Sequence, residues 1–84
     1  MPILSNFYGI SIKMYFQQAE HNPPHIHAIY GENMAAININ SGEVLEGELP
    51  PKALAMVCEW VNIHSDELLK MWETQEFKSL SPLE

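Results

Sequence analysis

The chain has 84 residues, of which 46% are hydrophobic, and a formal net charge of −7 from eleven acidic and four basic side chains. This length and composition favour one small globular domain spanning residues 1–84 and argue against a disordered chain. Four Lys and Arg residues are too few for a broad phosphate-binding surface, so nucleic acid is not an expected partner, whereas a basic protein is.

The single cysteine, Cys58, excludes an internal disulfide and a cysteine-based zinc ribbon. The N-terminal residues lack the basic stretch and apolar run of a signal peptide. The longest clean apolar run, from Ala53 to Cys58, is too short to cross a bilayer. We therefore expect a cytoplasmic protein that does not contact a membrane.

The first half of the chain has the period of β-strands. Apolar residues alternate with other residues between Ile10 and Phe16, as expected for a half-buried strand. Further strands are predicted at 25–30, 34–40 and 43–48, separated by the turn signals Gly31-Glu32-Asn33 and Asn40-Ser41-Gly42. These segments predict a small antiparallel sheet of three to four strands.

The second half has helical spacing. Pro50 and Pro51 favour a helix start, after which apolar residues recur at Leu54, Val57, Cys58 and Val61. Ser65 is a candidate cap for a second helix, whose apolar face would consist of Leu68, Leu69 and Trp72. Residues 75–84 are expected to fray. The predicted fold class is α+β, in which two C-terminal helices pack on one face of the sheet.

Three of the four histidines, His21, His25 and His27, lie in one short run that also contains Pro23-Pro24. Because side chains alternate along a strand, His25 and His27 should share one face. The core face should carry Ile10, Ile12, Met14, Ile26, Ala28, Ile37 and Ile39. The opposite face, directed away from the helices, should then carry Lys13, Tyr15, His25, His27 and Asn38. The predicted binding patch consists of Tyr15, His25, His27 and Asn38 together with His21.

This cluster suggests a metal site. Residues two apart on a strand have Cα atoms about 6.5–7 Å apart, which allows His25 and His27 to share an ion. His21 could fold back across Pro23-Pro24 as a third ligand, and a divalent transition metal such as zinc suits imidazole ligands. Two alternatives stay open, namely simple surface histidines and a metal-free patch for binding or proton transfer.

The other residues that often carry chemistry have structural interpretations here. His64 would end the first helix, where capping or packing is expected. Cys58 lies on the apolar stripe and is expected in the core, as are Trp60 and Trp72.

Several motifs together resemble one known family, the bacterial domain of unknown function DUF 4160. The likeness covers about residues 1–74 and includes the opening segment 1–10, the run His-Asn-Pro-Pro-His-Ile-His-Ala at 21–28 with Tyr30-Gly31, the segment 47–60, and the pattern His64-x-x-Glu67-Leu68-Leu69-x-x-Trp72. The family has no established activity. Its genes are often short, prokaryotic and adjacent to another small gene, as in toxin–antitoxin cassettes.

The resemblance and the acidic charge together favour a small bacterial interaction module, the neutralising partner in a toxin–antitoxin-like pair, which binds a protein or a second copy of itself. The alternative is a small metal-dependent, hydrolase-like enzyme in which His21, His25 and His27 are ligands and Tyr15 or Glu32 lies nearby.

Overall fold

The computed structural model of the chain describes residues 3–14 and 23–83. Five strands form one antiparallel sheet in chain order, and one helix follows them. The elements are β1 (Ile3–Phe7), β2 (Ile10–Lys13), β3 (His25–Tyr30), β4 (Asn33–Asn38), β5 (Val44–Gly47) and α1 (Pro51–Thr74). The α+β class is confirmed, whereas the predicted three to four strands and two helices are wrong in number.

The additional strand is β1, which pairs with β2 across the turn at Tyr8 and Gly9. Two adjacent residues of β1, Leu4 and Ser5, are both buried, and the pairing register shifts between Ile3 and Ser5. This irregularity removes the period of two by which strands are recognised in a sequence.

The two predicted helices are one continuous helix. Residues 52–74 contain neither glycine nor proline, so nothing in the backbone interrupts the helix at Ser65. Serine at a helix start is a preference rather than a requirement, and burial of a continuous apolar stripe outweighs it. The stripe consists of Ala53, Val57, Trp60, Val61, Leu68, Met71 and Trp72.

The core lies between this stripe and one face of the sheet. Ile12 pairs with Ala28, and Ile26 pairs with Ile37, so their side chains line the same face. All seven residues predicted for the core face are buried. Alternation along β2 and β3 therefore predicted correctly which face of the sheet α1 covers.

The segment after α1 has neither helix nor strand but packs on the domain. Leu80 is buried, and its backbone N–H donates to the Leu4 carbonyl oxygen of β1 at 2.7 Å. The indole Nε1–H of Trp60 donates to the Ser81 carbonyl oxygen at 2.8 Å. The tail that was expected to fray thus contacts both the edge of β1 and the helix.

Within the residues that the structure describes, α1 is not apolar enough over its length to serve as a transmembrane helix.

Candidate functional site

The face of the sheet opposite the core, here called the outer face, carries the two described histidines of the cluster. The pairing of β2, β3, β4 and β5 aligns Lys13, His27, Ala36 and Glu46 in one row across four strands. His25 pairs with Asn38 one step along β3. The strand geometry therefore places His25 and His27 side by side, with their ring centroids 5.1 Å apart.

His25 and His27 line a cavity of about 440 Å³ together with Pro23, Ala36, Leu45 and Glu46. Ala36 lies between His27 and Glu46 in the row, and only 6% of its surface is exposed. A methyl group between two longer side chains leaves a depression above it. We call this space the outer-face cavity; it is large enough for an amino-acid side chain or a small ligand.

A backbone contact orients the ring of His25. Its Nδ1 lies 2.9 Å from the Pro23 carbonyl oxygen, which can only accept a hydrogen bond, so Nδ1 carries the proton. In the neutral ring, Nε2 then has a free lone pair for a ligand or a proton. Pro23 and Pro24 restrict the backbone that holds this carbonyl in place.

The sequence led us to expect that the ring of His25 is directed away from the helix, but it is not. Its centroid lies 5.1 Å from the Trp72 ring of α1. His25 is the first residue of β3, so it lies at the end of the strand, where the sheet no longer separates its two sides. The prediction that the ring faces away from α1 therefore fits His27 better than His25.

His27 has an altered proton affinity. Burial lowers the pKa of its imidazole below the usual 6.5, the neighbouring His25 lowers it further, and the Glu46 carboxylate partly opposes both effects. A charged imidazole is disfavoured where it is poorly hydrated. His27 is consequently neutral at physiological pH.

Other predicted members of the patch lie elsewhere or have other roles. The Oδ1 atom of Asn38 accepts backbone N–H groups of Asn40 and Ser41 at 2.8 and 3.3 Å, so it organises the turn after β4. Glu32 lies in the turn between β3 and β4, about 10 Å or more along the strand from His27. Tyr15 and His21 lie outside the described residues.

Among the described residues, Glu46 brings a carboxylate near the imidazoles, and the sequence did not predict this placement. The approach of Glu46 to His27 depends on the pairing of β4 with β5, whose register shifts between Ala36 and Ile37. No spacing along the chain reveals such a shift. The signal in the sequence is the predicted strand 43–48, which does not by itself indicate the face on which Glu46 lies.

The metal hypothesis is incomplete on the described part of the chain. Within residues 3–14 and 23–83, no group of three or more His, Cys, Asp or Glu side chains is arranged to hold a metal ion. The third ligand predicted from the sequence, His21, lies outside these ranges. His25 and His27 therefore supply two imidazoles to any such site.

His64 and Cys58 have structural surroundings. The His64 ring lies 4.8 Å from that of Trp60, and its Nε2 is 3.1 Å from the Ser81 carbonyl oxygen. Its expected place at a helix end is wrong, because α1 continues past it. Burial raises the pKa of the Cys58 thiol, and a protonated thiol is a poor nucleophile.

Residues 9–73 match the family model described as a domain of unknown function, DUF4160. The chain belongs to this family. The matched segment of the DUF4160 domain contains every residue that lines the outer-face cavity, whereas β1 and the tail after α1 lie outside it. No curated protein and no solved structure matches the chain.

Proposed function

We propose that this DUF4160 protein is an acidic interaction module that binds an extended, basic segment of a partner protein along the edge of β5. The observation that carries the proposal is the exposure of β5. It is the last strand of the sheet, and all four of its residues, Val44–Gly47, are exposed. Unpaired backbone groups at such an edge readily accept a further strand.

The two edges of the sheet differ. The edge formed by β1 receives a hydrogen bond from the tail, where the Leu80 N–H reaches the Leu4 carbonyl oxygen. Among the described strands, none pairs with the outer edge of β5. Strand addition is therefore favoured at β5.

Charge selects the kind of partner. Glu43, Glu46 and Glu48 are all exposed in and beside β5, and the whole chain carries −7. In a dimer formed by β5 edges, carboxylates of one copy would lie against those of the other, and like charges across strands are destabilising. A strand that carries Lys or Arg is attracted instead.

Exposed apolar side chains add contact area at the same place. Leu45 in β5 is 43% exposed and Met34 in the neighbouring strand β4 is 50% exposed. An alternation of apolar and basic residues in the partner would therefore match this part of the sheet. A basic toxin encoded by the adjacent gene is the partner class that the family resemblance implies, and this chain would neutralise it.

Co-expression of the chain with the product of the neighbouring gene tests the proposal. We expect a stable complex in which the backbone amides of Val44–Gly47 exchange hydrogen more slowly than in the free protein, because they pair with an added strand. The amides of Ile3–Phe7 should be unchanged.

Charge reversal at two sites provides a matched control. Glu43→Lys combined with Glu46→Lys should abolish the complex, whereas Asp66→Lys combined with Glu73→Lys, on the exposed side of α1, should retain it. Both pairs change the net charge equally. Equal loss in both, absence of a complex, or protection confined to α1 would contradict strand addition at β5.

A second candidate function is a metal-dependent, hydrolase-like enzyme centred on the histidine cluster. The hydrogen bond between His25 Nδ1 and the Pro23 carbonyl favours it, since ligand histidines usually donate their second ring N–H to such an acceptor. His21, His25 and His27 would be the ligands of a divalent ion such as zinc, which would activate water.

Metal analysis of untagged protein tests this candidate. About one equivalent of a divalent ion per chain is expected, and His25→Ala or His27→Ala should remove it. His64→Ala is the control and should leave the content unchanged, because His64 contacts Trp60 and Ser81 instead. Sub-stoichiometric metal that neither substitution alters would reject the candidate.

A further inference from the structure

The outer-face cavity adjoins the strand proposed to bind the partner. Two of its lining residues, Leu45 and Glu46, belong to β5, and Ala36 belongs to the next strand inward. A strand added to β5 would lie about 4.8 Å beyond it. Its side chains on the outer face would therefore project beside Glu46, at the mouth of the cavity.

The lining of the cavity has the chemistry of a site for a long cationic side chain. Among the described residues that line it, Glu46 is the one carboxylate. Leu45, Ala36 and Pro23 provide apolar surface for a methylene stem, and the rings of His25 and His27 provide flat surfaces and a nitrogen acceptor.

These features favour arginine over lysine. A guanidinium group is planar, so it can stack on an imidazole ring while it donates two parallel hydrogen bonds to a carboxylate. An ammonium group is compact and strongly hydrated, and gains less from flat walls. Lys13, the cation of the row, lies beyond His27 on the side away from Glu46.

We infer that the outer-face cavity is a subsite for one arginine side chain of the strand that pairs with β5, with Glu46 as its anionic partner. The inference rests on the proposed function and assigns a specificity determinant to it. The small side chain of Ala36 at the bottom of the cavity leaves space for the arginine, and Leu45 at the side of the cavity contacts its methylene groups.

A pair of short peptides tests the subsite. The first is acetylated and amidated Thr-Val-Arg-Val-Thr, and the second has citrulline, a neutral mimic of arginine, at the central position. Each is titrated into the isotope-labelled full chain and followed by NMR at the backbone amides. We expect the arginine peptide to bind roughly tenfold more tightly, as a charge-assisted pair provides.

Two substitutions of equal charge locate the effect. Glu46→Gln should remove most of the preference for arginine, whereas Glu48→Gln, which lies outside the cavity lining, should leave the preference within about twofold. Both glutamates are exposed, so both variants should fold. Ala36→Val, which narrows the floor without changing charge, should also lower the preference.

The outcomes separate the two proposals. Equal binding of both peptides with shifts along β5 would overturn the arginine subsite and leave strand addition standing. A preference for arginine with shifts at Ala36 and Glu46, but none at the other amides of β5, would support an arginine-binding cavity and contradict strand addition. A preference that Glu48→Gln removes and Glu46→Gln does not, or no binding of either peptide, would overturn the subsite.

Discussion

Trp60→Ala is expected to lower the free energy of unfolding by about 3–5 kcal/mol, the usual cost of deleting a buried aromatic side chain. Trp60 has no exposed surface, its ring centroid lies 5.9 Å from that of Phe7 in β1, and its Nε1–H donates to the Ser81 carbonyl oxygen. One side chain thus joins the helix, the first strand and the tail. Domains of this size have a total stability of about 4–13 kcal/mol, so the loss is a large fraction of it.

Chemical denaturation followed by far-UV circular dichroism measures this effect. Trp60→Phe is the matched control: it keeps an aromatic ring but removes the donor to Ser81, and should cost about 1–2 kcal/mol. A loss below about 1 kcal/mol for Trp60→Ala would show that the ring does not occupy the centre of the core.

Gly47→Ala is expected to lower the free energy of unfolding by about 2–4 kcal/mol and to detach β5. Gly47 has a φ of +78°, and a Cβ built there would overlap the Met34 carbonyl oxygen and lie 3.1 Å from the Ala35 Cα. Both neighbours are backbone of β4, so the clash is relieved only by moving one strand. The same carbonyl accepts the Glu48 N–H at 3.1 Å, which the movement would break.

Comparison with Gly31→Ala separates the cost of backbone strain from the cost of a steric clash. Gly31 also has a positive φ, +60°, but a Cβ there meets nothing within 4 Å. It should cost only the backbone strain, about 1–2 kcal/mol. Denaturation measures both variants, and hydrogen exchange should show faster exchange in β5 for Gly47→Ala alone. Equal losses in the two variants would mean that β5 does not approach β4 as closely as described.

If strand addition at β5 is correct, Gly47→Ala should also lose partner binding while Gly31→Ala retains it. Each variant keeps the charge of the chain, so the comparison depends on strand geometry rather than on electrostatic attraction.

Local periodicity was informative where a segment has one buried face and regular pairing. The predicted strand 25–30 is β3, because His25, Ile26, His27 and Ala28 alternate between half-buried and buried along a central strand. The same alternation placed His27 beside Lys13 on the outer face. The helix start predicted at Pro50 and Pro51 is also correct, because α1 begins at Pro51 and proline suits the first helical position.

Periodicity failed where long-range packing outweighs local preference. Ser65 has the character of a helix cap, yet it lies inside α1, because burial of Val61 and Leu68 on one stripe favours continuity. In β1, adjacent burial of Leu4 and Ser5 hides the strand. Leu80 looked like part of a free tail, but its N–H finds an acceptor on β1.

The amino-acid sequence by itself determined the α+β class, the core face of the sheet, the acidic charge and the side-by-side placement of His25 and His27, because these depend on neighbouring residues and on composition. Tertiary structure decided which acidic residue joins the histidines and which edge of the sheet has no partner among the described strands. Glu46 lies in the same row as His27 because Ala36 pairs with both residues, and the pairing of β4 with β5 includes a shift of register. Such contacts depend on how distant segments align, and a linear pattern carries no measure of that alignment.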